Sequence, residues 1–188
     1  MKINALIFLA VIAAPAISQA KKQEAYFAAG CFWCVEEIFE VVPGVTEVVS
    51  GYSGGPEKNP TYKQVSAGRT GHAEAVKIIY DDAEVSYAKL LEVFWRSHDA
   101  TDGRGVAPDF GKQYRSALFY QTDEEKLTIM KSKAALEKML GQKVATQIVP
   151  FKKFWPAEDY HQDYVKRNPN DPYVLGVSVP RFKATFAK

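Results

Sequence analysis

Residues 24–36 read EAYFAAGCFWCVE, and this stretch decides how the chain is built around its chemistry. Glu24–Ala29 has the character of a strand, and Gly30 supplies a turn. From Cys31 onward the apolar residues Val35, Ile38, Phe39 and Val42 recur at helical spacing until Pro43 and Gly44 stop them. The spacing predicts a helix over residues 31–42, entered at Cys31 and Cys34, the only two cysteines of the chain. On one helical face their Cα atoms fall within the roughly 4.4–6.8 Å that a disulfide accepts. A bridge closing so short a loop stabilises little, so C-x-x-C here points to redox or metal chemistry rather than a staple.

The handover from strand to helix assigns roles. The first amides of a helix lack intrahelical partners, and the helix dipole favours an anion among them. A thiolate at Cys31 is stabilised there. Cys34 lies a turn deeper and gains less. The asymmetry makes Cys31 the attacking thiol and Cys34 the resolving one.

Working outward, Val45–Gly51 alternates as a second strand, and residues 53–71 read as a long loop. Ala73, Ala75, Ile78 and Tyr80 mark a third strand. Ser86 caps a helix carrying Leu90, Leu91, Phe94 and Trp95. A second loop spans 98–112 and a short strand 116–120. Thr122 and Glu125 form a capping box for a helix ending near Gly141, with a last strand at 144–149. Beyond Phe151 the chain reads as irregular, apart from a short helix near 158–166. The β-α-β-β-α-β order predicts an α+β fold with a ferredoxin-like split core, an additional helix and a long irregular C-terminal segment.

Composition narrows the class. With 47% apolar and 24% charged residues, the chain suits one soluble domain with a proper core. Its net charge of +2 carries no block of one sign, which argues against nucleic-acid or membrane-surface binding. Residues 1–20 are of another kind: Lys2, then an apolar run from Ile3 to Ile17, then Ser18-Gln19-Ala20. They read as a cleaved secretory signal. The run falls short of the roughly 20 residues a span needs, and Pro15 interrupts it. An exported, periplasmic protein without stable membrane insertion is expected, with residues 21–188 as one catalytic domain. Export into an oxidising compartment permits disulfides.

Loops longer than about 12 residues usually carry function. The first leads through Asn59-Pro60-Thr61-Tyr62 into Gly71-His72-Ala73-Glu74. The second carries Pro108, Asp109, Gln113 and Tyr114. Each holds an acid and a tyrosine near a strand entrance. His72 and Glu74 also match the H-x-E of zinc deaminases, with Cys31 and Cys34 as further ligand types. The order is reversed, however, and no proline precedes Cys31, so no metal is expected.

GCFWCVE, GYSGGPEKNPTY, GRTGHAEAVKIIYD, SYAKLLEVFWRSHD and GKQYRSALFY, in this order, resemble the A-type peptide methionine sulfoxide reductases. The resemblance runs from about Tyr26 to His161. It implies reduction of a methionine S-sulfoxide, free or in oxidised protein. Glu74 matches the family's acid, and Tyr62 and Tyr114 match its hydroxyl donors to the sulfoxide oxygen. Asp109 matches its loop acid, while Phe32 and Trp33 match the aromatic wall that takes the S-methyl group. The implied sequence is attack by Cys31, a sulfenic acid, and a redox-active Cys31–Cys34 disulfide reduced by a thioredoxin-like partner. No cofactor is required. Many relatives have Gly in place of Cys34 and resolve with cysteines in the tail, which has none here. Pro108 replaces a usual Asn before Asp109. His161 matches a familiar tail position, and packing is its favoured role. The competing reading is a general thiol–disulfide oxidoreductase, whose fold would place a cis-proline opposite the motif. Val149-Pro150 is the one weak candidate.

Overall fold

The computed structural model describes residues 21–187; the proposed signal, residues 1–20, lies outside them. Strand β1 (Lys22–Ala29) runs into helix α1 (Phe32–Glu40), with Cys31 at the N-cap position. Gly30 makes the turn at φ +78°, and a Cβ there would sit 2.7 Å from Val106 Cβ, so glycine is needed twice over. Strands β2 (Val45–Ser53) and β3 (Ala73–Asp81) follow, with the short helix α2 (Tyr62–Ser66) inside the first long loop. Helix α3 (Tyr87–Arg96) is capped by the Ser86 hydroxyl, which accepts from Lys89 N at 3.2 Å. The second loop contains a two-stranded hairpin, β4 (Gly105–Val106) with β5 (Asp109–Phe110), and a 3-10 turn, Lys112–Tyr114. Strand β6 (Ser116–Tyr120) leads to helix α4 (Asp123–Leu140), whose Thr122 cap and left-handed Gly141 end are as the sequence reads. No helix among the described residues is long and apolar enough to cross a membrane.

The result is a mixed α+β fold around a six-stranded sheet in the order β7-β6-β1-β3-β2-β8. Strand β7 (Gln147–Pro150) lies parallel to β6 and starts later than the 144–149 expectation. Every other pairing is antiparallel. Central strands are covered on both faces, so β1 buries neighbouring residues in opposite directions. Phe27 packs with Phe39, Phe94, Leu118 and Ile129 beneath the helices. Tyr26 and Ala28 pack with Ala75, Phe119 and Phe154 on the other side, where Phe151 stacks on Tyr26 at 3.9 Å.

The segment after Phe151 is more ordered than its sequence suggests. Strand β8 (Phe154–Pro156) joins the sheet edge at β2. Gly51 permits this approach, since a Cβ there would meet Trp155 O at 2.4 Å. A 3-10 turn (Asp159–His161) and helix α5 (Tyr164–Arg167) replace the single 158–166 helix. A π-helical turn, Val174–Ser178, then leads into helix α6 (Val179–Phe186). Pro180 hid α6 in the sequence, but it lies in the first turn, where its fixed φ suits the helix. Gln162 zips this tail to β2: its side chain accepts from Ser50 N at 2.9 Å and donates to Ser50 O at 3.0 Å. Buried Glu36 of α1 accepts from Ser50 Oγ at 3.1 Å beside the same junction.

Candidate active site

The site forms where α1 begins against β3. Phe32 N–H, a free amide at the helix start, donates to Glu74 Oε2 at 3.1 Å. Glu74 is 1% exposed. Burial raises its pKa from 4.5 to about 8; Asp109 and Cys34 push the same way, against the Phe32 hydrogen bond. A carboxyl on β3 is thus held neutral near physiological pH, as a proton donor must be.

Both cysteines are free, buried thiols. Their charges divide in the opposite sense to the helix-dipole expectation. The pKa of Cys34 is lowered from 9.0 to about 6, first by a hydrogen bond from Cys31, then, against burial, by Arg181, Ser178 and Tyr173. Burial raises Cys31, helped by Cys34 and Glu74. The physical reason is that burial dominates at Cys31, whereas Cys34 gains the Arg181 charge and the Ser178 hydroxyl.

The two tyrosines come from loops that are tied together. Tyr62 begins α2, where Thr61 and Gln64 form a capping box the sequence reading missed. Glu158, also missed, anchors this start by accepting from Tyr62 N at 2.9 Å and Tyr52 OH at 2.8 Å. Tyr114 ends the 3-10 turn, which Gln113 fastens to α2 through Ser66 O at 3.0 Å. Burial raises both phenols above their ordinary pKa, with Glu74 next for each, so both hydroxyls keep their protons as donors. Asp109, in the hairpin beyond Pro108, accepts from Tyr173 OH at 2.5 Å. Burial raises its pKa, against Tyr173 and Arg181.

Phe32 and Trp33 form an aromatic wall beside Cys31. Phe32 stacks toward Tyr62 with centroids 6.2 Å apart. Trp33 stacks on Tyr164 at 3.7 Å, and its indole N–H donates to His161 Nδ1 at 3.1 Å. His161 is therefore more than tail packing: it holds the wall in place. Burial lowers its pKa, and its Nε2 is buried without a partner.

His72 does not join the site. Gly55 N donates to its Nδ1 at 3.2 Å, and its Nε2 bonds Glu57 O at 2.9 Å. Both ring nitrogens are committed to backbone, and no metal-binding cluster occurs among the described residues. Pro150, the weak candidate for a thioredoxin-type proline, ends edge strand β7. Tyr173, Ser178 and Arg181 were invisible in the sequence, because a π turn matches neither helical nor strand periodicity.

A family model described as peptide methionine sulfoxide reductase matches residues 23–188. The chain belongs to the peptide methionine sulfoxide reductases. It is 44% identical over 160 residues to a Pasteurella multocida peptide methionine sulfoxide reductase, covering 85% of this chain and 92% of that protein. It is 52% identical over 147 residues to one from Methanosarcina mazei, covering 77% and 70%. Among solved structures, reduced Mxr1 from Saccharomyces cerevisiae superposes with TM-score 0.76 at 32% identity, covering 81% of this chain and 92% of that one. Mxr1 has also been solved in complex with Trx2, with TM-score 0.56 at 25% identity, covering 82% and 89%. This reductase is thus an oxidoreductase acting on methionine sulfoxide, with the acid, thiols and aromatic wall meeting at the start of α1.

Proposed function

We propose that this reductase acts on the S epimer of methionine sulfoxide, free or in oxidised proteins, using Cys31, Glu74 and Cys34 in sequence. The neutral Glu74 carboxyl beside Cys31 carries this reading. A sulfoxide sulfur is a poor electrophile until its oxygen is protonated. The substrate methyl rests against Phe32 and Trp33, where sulfur–aromatic contacts contribute about 0.3–1.5 kcal/mol. Tyr62 and Tyr114 hold the oxygen. Cys31 sulfur attacks, its proton passes to the Cys34 thiolate, and Glu74 protonates the oxygen. The hydroxyl moves to Cys31 as methionine leaves, giving the sulfenic acid. Cys34 displaces it as water and forms the Cys31–Cys34 disulfide.

A thioredoxin-like dithiol then reduces the pair by exchange. The Mxr1 complex with Trx2 supports such a donor. The all-antiparallel run β6-β1-β3-β2 supports a ferredoxin-like split layout of the core. Residues 1–20 act as a cleaved export signal, leaving one catalytic domain in the periplasm. The test is methionine release from each sulfoxide epimer with a thioredoxin system, using wild type beside Glu74→Gln. Turnover of the S epimer that disappears in the variant is expected. Undiminished turnover in Glu74→Gln overturns the proton-donor role.

A further inference from the structure

The resolving thiol sits under a rare piece of backbone. The turn Val174–Ser178 closes through Val179 N–H to Val174 O, five residues apart. In an α-helix, at about 3.6 residues per turn, residues five apart point to different sides. The wider π turn brings them onto one side. Tyr173 precedes this turn and Ser178 ends it, and both hydroxyls face Cys34. Ser178 Oγ stands 3.2 Å from Cys34 Sγ, and Tyr173 OH 4.0 Å.

The two hydroxyls are not equivalent. Tyr173 has one proton and gives it to Asp109 at 2.5 Å. Ser178 is fully buried, and its hydroxyl has no partner among the described residues other than Cys34. Its proton is free for the sulfur. Arg181, three residues on along α6, adds positive charge. The groups facing Cys34 are Cys31 and Glu37 from α1, Glu74 from β3, and Tyr173 and Arg181 from the tail. Asp109 acts from the hairpin through Tyr173. Of the two tail hydroxyls, Ser178 is thus the one that can turn wholly toward the sulfur.

We propose that Ser178, presented by the π turn, is a catalytic residue of the resolution step: its hydroxyl donates to the Cys34 thiolate and keeps it competent to attack the Cys31 sulfenic acid. In that step a Cys34 electron pair forms the S–S bond, and the S–O bond breaks. Cys34 becomes the thiolate by surrendering the proton it took from Cys31, and that proton leaves with the hydroxide as water. A hydrogen bond to a charged sulfur is strong, and a neutral thiol gains little from it, so removing the donor raises the thiol pKa.

The inference rests on Cys34 being the resolving thiol, and the test separates the two. Thiolate absorbance of Cys34 is titrated in Cys31→Ser and in Cys31→Ser/Ser178→Ala, which needs no catalysis. The midpoint is expected to rise by about one to two pH units. With both cysteines present, Ser178→Ala is expected to slow disulfide formation after a single sulfoxide addition on the order of tenfold. Sulfenic acid then accumulates and is trapped by a dione reagent, while Ser178→Thr restores both readings. An unmoved midpoint, an unchanged disulfide rate, or a lower Tm alone overturns the proposal. Steady thioredoxin-supported turnover by Cys34→Ser instead overturns the resolving role, whatever the titration reads.

Discussion

Phe32 N–H donates to Glu74 Oε2 at 3.1 Å, joining the first turn of α1 to the middle of the sheet. The bond fixes the acid beside the thiols and removes from the sulfurs the amide that a helix start would have offered. The bond places the carboxyl, while burial keeps it neutral against the bond's own pull toward the carboxylate.

Glu74→Gln is expected to abolish turnover yet stabilise the fold at alkaline pH. The folded acid holds its proton up to about pH 8, whereas unfolded it ionises near 4.5. Between those values the folded state binds more protons, so stability falls as pH rises through the window. Gln carries no such burden, and a gain of about 1–4 kcal/mol by pH 8 follows. Urea melts of both proteins at acid and alkaline pH check this; a variant less stable than wild type at pH 8 contradicts it. Wild-type activity should also decline on an alkaline limb near the same pH.

Cys31→Ser should release no methionine. Cys34→Ser should release one methionine per enzyme, more slowly, and then stall with a thioredoxin-type donor. Quenched-flow counting of methionine distinguishes the two, and repeated turnover by Cys34→Ser would refute the assigned roles.

Tyr62→Phe and Tyr114→Phe each remove one hydroxyl aimed at the sulfoxide oxygen. A loss in kcat on the order of 100-fold is expected for each, with thermal stability nearly unchanged. Steady-state kinetics beside melting curves test it. A loss explained by unfolding would leave the tyrosines without the assigned role.

His161→Leu removes the acceptor of the Trp33 indole. A rise in KM of about 5–10-fold with little change in kcat is expected, since the wall binds the substrate but does no bond-making. His161→Asn keeps an acceptor and should restore KM. Because burial lowers the His161 pKa, wild-type KM should rise only below the ordinary histidine range, where Nδ1 gains a proton and can no longer accept. A KM flat down to acid pH in wild type would count against this.

Gln162→Ala cuts the side-chain zipper between the tail and β2, at a cost of about 1–3 kcal/mol. Denaturant midpoints measure it. A neutral result would mean that β8 alone docks the tail.

The sequence by itself determined the strand–turn–helix around Cys31, the caps at Ser86 and Thr122, and the residue types of the site. These rest on local rules: apolar period, cap chemistry and thiol spacing. It did not reveal β8, the π turn or α6. Strand β8 is three residues long and exists because Gly51 lets it approach. The charge order of the two thiols was likewise beyond it. That order depends on the burial of Cys31 and on Ser178 and Arg181 arriving at Cys34 from the far end of the chain. Protonation follows the summed field and burial at a point in space, and only the tertiary structure brings those groups to that point.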